Sequence, residues 1–252
     1  MLKKMSICAV AIAIVLSASA CGNTGNNSAE AGEGENQDTT AMQLQLIADN
    51  IDTWRGDDDT VIYNYAVTDL DMNGRLEIIS SSCQGTGLYT YTSVWEVDEA
   101  LNKLYPVENP VQEGESQADI IVESTPVYFN SDSGEYNYVF GDVTRNGAAE
   151  YYENLRAIAL IDGVLSQKYL AYKTTIYEAP DVKPTVTCTA SDGKTIISED
   201  EYEAAPETAF AGLEKKTAAF GWTDEDLETI NAMDGAALYD MLKKSYEGFS
   251  IK

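Results

Sequence analysis

Histidine is absent from this 252-residue chain. That absence removes Ser-His-Asp and Cys-His catalysis, histidine-ligated zinc and imidazole pH switching together. Acid–base chemistry would fall to Asp, Glu, Lys or Tyr. Positive charge is scarce: 16 Lys and Arg stand against 42 Asp and Glu, a formal charge of −26. A chain so acidic repels phosphate backbones and anionic lipid headgroups, which argues against nucleic acid as a partner and leaves cations, sugars and basic surfaces. Cysteine is sparse, with four residues and no Cys-x-x-Cys, so neither a redox motif nor a cysteine-zinc site is supported. Long apolar runs are lacking too: the leading one, Met5 to Ala20, is too short for a membrane span.

That run has a different use. Lys3 and Lys4 precede it and Ala18-Ser19-Ala20-Cys21-Gly22 ends it, the layout of a signal peptide over residues 1–20. The Ala-Ser-Ala-Cys ending resembles the lipobox of bacterial lipoproteins, with Ala18 where the usual motif has Leu. The resemblance implies that Cys21 is acylated, becomes the first mature residue and holds the protein on the outer face of the cell membrane. Two acyl chains suffice for stable attachment. Ordinary secretion with Cys21 as a spare thiol is the alternative. Gly22 to Thr40 has no large apolar residue, so residues 21–40 read as a tether. Its reach is about 25 Å as a coil and roughly 60 Å drawn straight.

Residues 41–252 suit a single α+β domain. Within it, 63–79 (YNYAVTDLDMNGRLEII) and 136–152 (YNYVFGDVTRNGAAEYY) align without a gap at an offset of 73. The identities include Asp69 with Asp142, Asn73 with Asn146, Gly74 with Gly147 and Glu77 with Glu150. Two copies of one supersecondary unit are expected, over about 61–107 and 127–172. In the first, Val61, Tyr63, Tyr65 and Val67 alternate with Ile62, Asn64, Ala66 and Thr68, which predicts a strand. Asn73-Gly74 predicts a positive-φ reversal, and a return strand starts at Leu76.

Asp69-x-Asp71-x-Asn73-Gly74-x-x-Glu77 places oxygen ligands on alternate positions of a tight turn, as a calcium ion requires. Glu77 is ninth counted from Asp69, so the loop is not an EF-hand. It is similar to the calcium loops of FG-GAP (integrin-alpha-type) and VCBS repeat proteins. That resemblance implies Asp69, Asp71, Asn73 and Glu77 as ligands of a structural calcium, with the Arg75 carbonyl as a fifth. A metal-free Asx turn is the competing reading. In the second copy Thr144 replaces Asp71 and Arg145 replaces Met72. We expect Asp142, Thr144, Asn146 and Glu150 to keep the turn without the metal, with Arg145 neutralising a carboxylate.

Tyr89, Tyr91 and Trp95 share one face of a strand predicted over Leu88–Val97, where they would either stack on sugar rings or pack a β core. Met42, Leu44, Leu46, Ile47, Ile51 and Trp54 lie near helical spacing. A helical tail is expected over about 198–249, with Ser198–Glu201 and Thr223–Asp226 as caps and Pro206 interrupting it. Cys83 and Cys188 are free to pair or to stay thiols.

Asp69–Glu77, Tyr136–Tyr152 and Ser245–Phe249 together resemble a class of uncharacterised lipoproteins of Gram-positive gut bacteria, a resemblance that brings no activity. The leading expectation is a non-catalytic, calcium-stabilised, lipid-anchored protein that binds a glycan or protein at the cell surface. A carboxylate-based extracellular hydrolase such as a glycosidase is the alternative, since two acids flanking a cleft would suffice. A transporter's substrate-binding component is disfavoured because alternating strand–helix units are not apparent.

Overall fold

A computed structural model describes residues 33–110, 116–179, 181–223 and 225–252. Cys21 and the leader over 1–20 lie outside the described residues. Helices α1 (Glu33–Asp49) and α2 (Ile51–Trp54) come first. Strands β1 (Asn64–Thr68), β2 (Glu77–Gln84), β3 (Tyr89–Val97) and β4 (Leu104–Pro106) form an antiparallel meander, in that order. Then follow β5 (Ser124–Asn130), β6 (Glu135–Phe140), β7 (Val143–Asn146), β8 (Glu150–Ile161), β9 (Val164–Ile176), β10 (Thr185–Ala190) and β11 (Ile196–Ile197). The chain ends with α3 (Glu199–Glu203), α4 (Ala205–Ala209), β12 (Glu214–Ala219), α5 (Leu227–Ala232), α6 (Gly235–Gly248) and β13 (Ser250–Ile251). The second sheet has nine strands, ordered β11-β10-β9-β8-β6-β5-β12-β13, with β7 paired to β8.

The class is α+β, with mainly antiparallel sheets. Alternation along the strands gives each sheet two apolar faces, hence layers. Ile79 and Val94 of the first sheet meet Val127, Tyr138, Phe140, Ile158 and Leu160 of the second. The first sheet's other face, with Tyr65, Val67 and Ile78, packs on Leu44 and Ile47 of α1, Trp54 of α2, and Leu238 and Leu242 of α6. Behind the second sheet, α3 and α4 are held through Tyr202, Ala205 and Phe210. Among the described residues no helix is long and apolar enough to cross a membrane.

Several expectations are corrected. Helix α1 begins at Glu33, inside the segment read as tether. Leu44 and Ile47 anchor the helix, and extending an existing helix costs far less than starting one. The tail is not helical throughout, because β12 adds to β5. Ser198 and Glu201 do form a capping box, and Pro206 opens α4. The second cap is different: Asp226 itself accepts from Thr229 N–H, while Thr223 bridges to Tyr65. Cys83 and Cys188 are free thiols on separate sheets.

The tail locks through one hydroxyl. Ser245 Oγ accepts the Val67 N–H at 2.9 Å and donates to the Gly221 carbonyl at 2.5 Å. A Cβ on Gly221 would lie 2.1 Å from the Ser245 carbonyl oxygen, so only glycine fits there. Ser245→Ala leaves a buried amide unpaired. The expected loss is about 1–3 kcal/mol in urea unfolding with an unchanged m-value, and a loss below about 0.5 kcal/mol would remove this hydroxyl from the account.

Candidate metal centre

The loop between β1 and β2 is built by its own polar side chains. Met72 (φ 56°) and Gly74 (φ 83°) take the left-handed conformation, so the reversal is set by this pair and not by Asn73-Gly74. Asp71 Oδ1 accepts from Asn73 N–H at 3.2 Å, Asp69 Oδ2 from Gly74 N–H at 3.1 Å, and Asn73 Oδ1 from Arg75 N–H at 2.7 Å. Gln43 of α1 closes the loop from outside: its Oε1 accepts from Leu76 N–H at 2.8 Å and its Nε2 donates to the Gly74 carbonyl at 2.9 Å.

These contacts bring carboxylate oxygens of Asp69, Asp71 and Glu77 within 4.8 Å of one another. Glu77 is fully buried and Asp69 nearly so, at 8 % exposure. Glu77 Oε2 accepts from Leu70 N–H at 2.7 Å and Thr68 Oγ1 at 2.9 Å. Its Oε1, and Asp69 Oδ1, are buried without a hydrogen-bond partner. Such groups cost free energy unless something positive answers them. Burial pushes the Asp69 carboxyl up to about 6, and the Asp71 charge adds to this against the opposing Gly74 N–H. Burial likewise drives Glu77 well above the ordinary carboxylate range, opposed by the Leu70 N–H, and raises Asp71. The cluster can hold a metal ion, and its donors are hard oxygens.

One side chain of the expected ligand set, that of Asn73, is engaged elsewhere. The Asn73 amide nitrogen donates to Asp71 Oδ2 at 2.8 Å and to Glu96 Oε1 at 2.9 Å, while its oxygen is held by Arg75 N–H. The Arg75 guanidinium pairs with Glu96 at 2.6 Å. Asn73 and Arg75 thus shape the loop and tie it to β3.

Other residues that position the loop were missed in the sequence. Tyr138 of β6 donates its hydroxyl to the Leu70 carbonyl at 2.6 Å, which ties the second unit to the loop of the first. Tyr246 of α6 is raised by burial and then by the charges of Asp69 and Glu77. The Tyr-Asn-Tyr repeat and the Ser245–Phe249 segment carried the only signal for these two. Gln43 gave none, being one polar residue in a helix.

The second copy departs further than expected. Asn146 and Glu150 pair across the tight β7–β8 hairpin, with Asn146 Nδ2 donating to Glu150 Oε2 at 3.0 Å and Thr144 facing Tyr152. Asp142 stays behind, ahead of β7. It is neutralised not by Arg145, whose Nε donates to the Thr86 carbonyl at 2.6 Å, but by Arg156 of β8. That ion pair is buried on both sides. Asn154 Nδ2 also donates to Asp142 Oδ2 at 3.1 Å, and the guanidinium lies 4.4 Å from the Tyr169 ring centre.

Of the three aromatic residues on β3, Tyr89 and Tyr91 are exposed, at 37 % and 43 %, while Trp95 packs against the helix-side core. No protein-family model, curated protein or solved structure matches the chain.

Proposed function

We propose that this chain is a non-catalytic, lipid-anchored protein of the outer membrane face, stabilised by a structural calcium ion, that binds a glycan or protein at the cell surface. The observation that carries the metal reading is the pair of buried, unpartnered oxygens, Asp69 Oδ1 and Glu77 Oε1, within one carboxylate cluster. Calcium suits this set because it accepts irregular oxygen cages and tolerates carboxylates in one- or two-oxygen contact. Magnesium would demand a tighter octahedron and keep more of its own water. The ion's role is structural because α1, β3 and β6 all meet the loop, through Gln43, Glu96 and Tyr138. The outer-face location rests on the leader and Cys21.

Titration of the chelator-stripped full chain with calcium, followed by terbium luminescence competition, is expected to give one ion per chain. Glu77→Gln and Asp69→Asn are expected to abolish it, and Glu150→Gln to leave it unchanged. Two ions per chain would contradict the reading of the second copy. No ion at millimolar calcium would leave only the Asx-turn reading.

A further inference from the structure

The face of the second sheet that presses on the first does not end where the first sheet ends. Along β8, Arg156, Ile158 and Leu160 share this face, and Ile158 and Leu160 lie in the core between the sheets. Beyond Arg156 the same face continues outward. There Thr144 of β7, Tyr152 of β8, Thr174 of β9 and Thr187 of β10 stand opposite one another in a single row across four strands. At the normal spacing of neighbouring strands this row is about 14 Å long. A second row, Asn146, Glu150, Ile176 and Thr185, runs beside it. Helices α3 and α4 lie on the opposite side, where Tyr202 meets Cys188 and Phe210 meets Leu170.

The chemistry of these rows departs from the rest of the chain. In a protein with 42 acidic residues, the rows hold one carboxylate, Glu150, which already accepts from Asn146. The other members are hydroxyls, one amide, one aromatic ring and one isoleucine. The first sheet borders this surface. Gly87 accepts the Arg145 N–H at 3.0 Å, and Thr86, Gly87 and Tyr89 form a cleft of about 390 Å³ with Arg145, Asn146 and Gly147. At the inner margin Tyr172, in register with Asn154, is stacked on Tyr169 at 5.1 Å, so it is held rigidly.

We propose that this overhanging face is a binding surface for a neutral polysaccharide laid across β7 to β10, with Tyr152 and Tyr89 as its aromatic contacts. Sugar rings offer a C–H face to an aromatic ring and hydroxyls to threonine and asparagine, which is the mixture presented here. A rigid sheet presenting these groups loses little side-chain entropy on binding. A basic protein partner would instead be met by acidic groups, and these rows have almost none. The inference rests on the surface-binding reading above and names its ligand class. Of the three aromatic residues on β3 it keeps Tyr89 and leaves out Tyr91 and Trp95.

The test is affinity electrophoresis of the full chain, with calcium present, in gels containing galactomannan, xylan or mixed-linkage β-glucan, and in a gel of polygalacturonate. Retardation by at least one of the neutral polymers is expected. Tyr152→Ala and Tyr89→Ala are each expected to weaken it by about tenfold, and Tyr105→Ala, exposed on β4, to leave it unchanged. Three results overturn the proposal: no retardation in any gel, which points to a protein partner; retardation by polygalacturonate alone; or Tyr152→Ala and Tyr89→Ala variants that bind like the parent. Calcium-dependent melting, measured on the same samples, separates the two readings. Failure of glycan binding with an intact calcium response sinks this proposal alone. Retained binding without a calcium response sinks the metal reading alone.

Discussion

In a chelating buffer the protein is expected to melt at a lower temperature at pH 8 than at pH 5, and saturating calcium is expected to remove or reverse that order. The sign follows from the loop. Asp69 is raised from 3.8 to about 6, and Glu77 and Asp71 are raised too, so the metal-free fold binds their protons more tightly than the unfolded chain does. That contribution is complete below about pH 4, the unfolded value, and is lost as pH rises through 6 and beyond. For Asp69 alone the full contribution is on the order of 3 kcal/mol, of which about half is present at pH 5 and almost none at pH 8. Calcium acts oppositely, because it binds the ionised carboxylates, and at one hundred times its Kd adds about 2.7 kcal/mol. In a domain of this size that is roughly 5–10 °C. Glu77→Gln tests the cause: in chelator at pH 8 it is expected to melt above the parent, since it removes a buried unpaired charge, and calcium is expected to leave it unmoved. A parent melting curve in chelator that is flat or rises between pH 5 and 8 would defeat this account of the loop.

The second large effect concerns Arg156. Its side chain is 4 % exposed and that of Asp142 1 %, so Arg156→Met strands a carboxylate in the interior. Breaking such a pair from one side costs about 3–5 kcal/mol. The melting temperature is therefore expected to fall by roughly 6–20 °C, with or without calcium. The double variant Asp142→Asn/Arg156→Met is expected to recover more than half of the loss, because the stranded charge goes with its partner. A single variant that loses less than about 1 kcal/mol would show that water reaches Asp142. The contrast between the two units is physical. Each has a buried aspartate after a Tyr-Asn-Tyr strand; in the second a guanidinium of the chain itself answers it, and in the first two further carboxylates gather beside it.

Local patterns were legible where local chemistry decides the structure. The alternation from Tyr63 to Thr68 gave β1, the spacing of Asp69, Asp71 and Glu77 gave the carboxylate cluster, and Ser198 with Glu201 gave the start of α3. What stayed hidden depends on partners distant in sequence. Tyr65 faces Ser80, but Tyr138 faces Ile158 rather than Glu153, its counterpart at the 73-residue offset. The second unit makes room for a β7 hairpin inside an alignment that needs no gap, so identical spacing concealed different pairing. Arg156 lies beyond the aligned segment and could not be matched to Asp142. β12 reads Glu-Lys-Lys-Thr-Ala-Ala, a polar sequence made a strand by the open edge of β5. Gln43 became a loop clamp only because α1 passes beside Gly74 and Leu76.

Gln43 also fixes where traction on the chain would be felt. A pull applied ahead of Glu33 travels along α1 and reaches the loop through the two bonds Gln43 makes to Gly74 and Leu76. The turn that could hold an ion thus bears part of such a load, alongside the core packing of Leu44 and Ile47, and filling it would raise the force needed to detach α1.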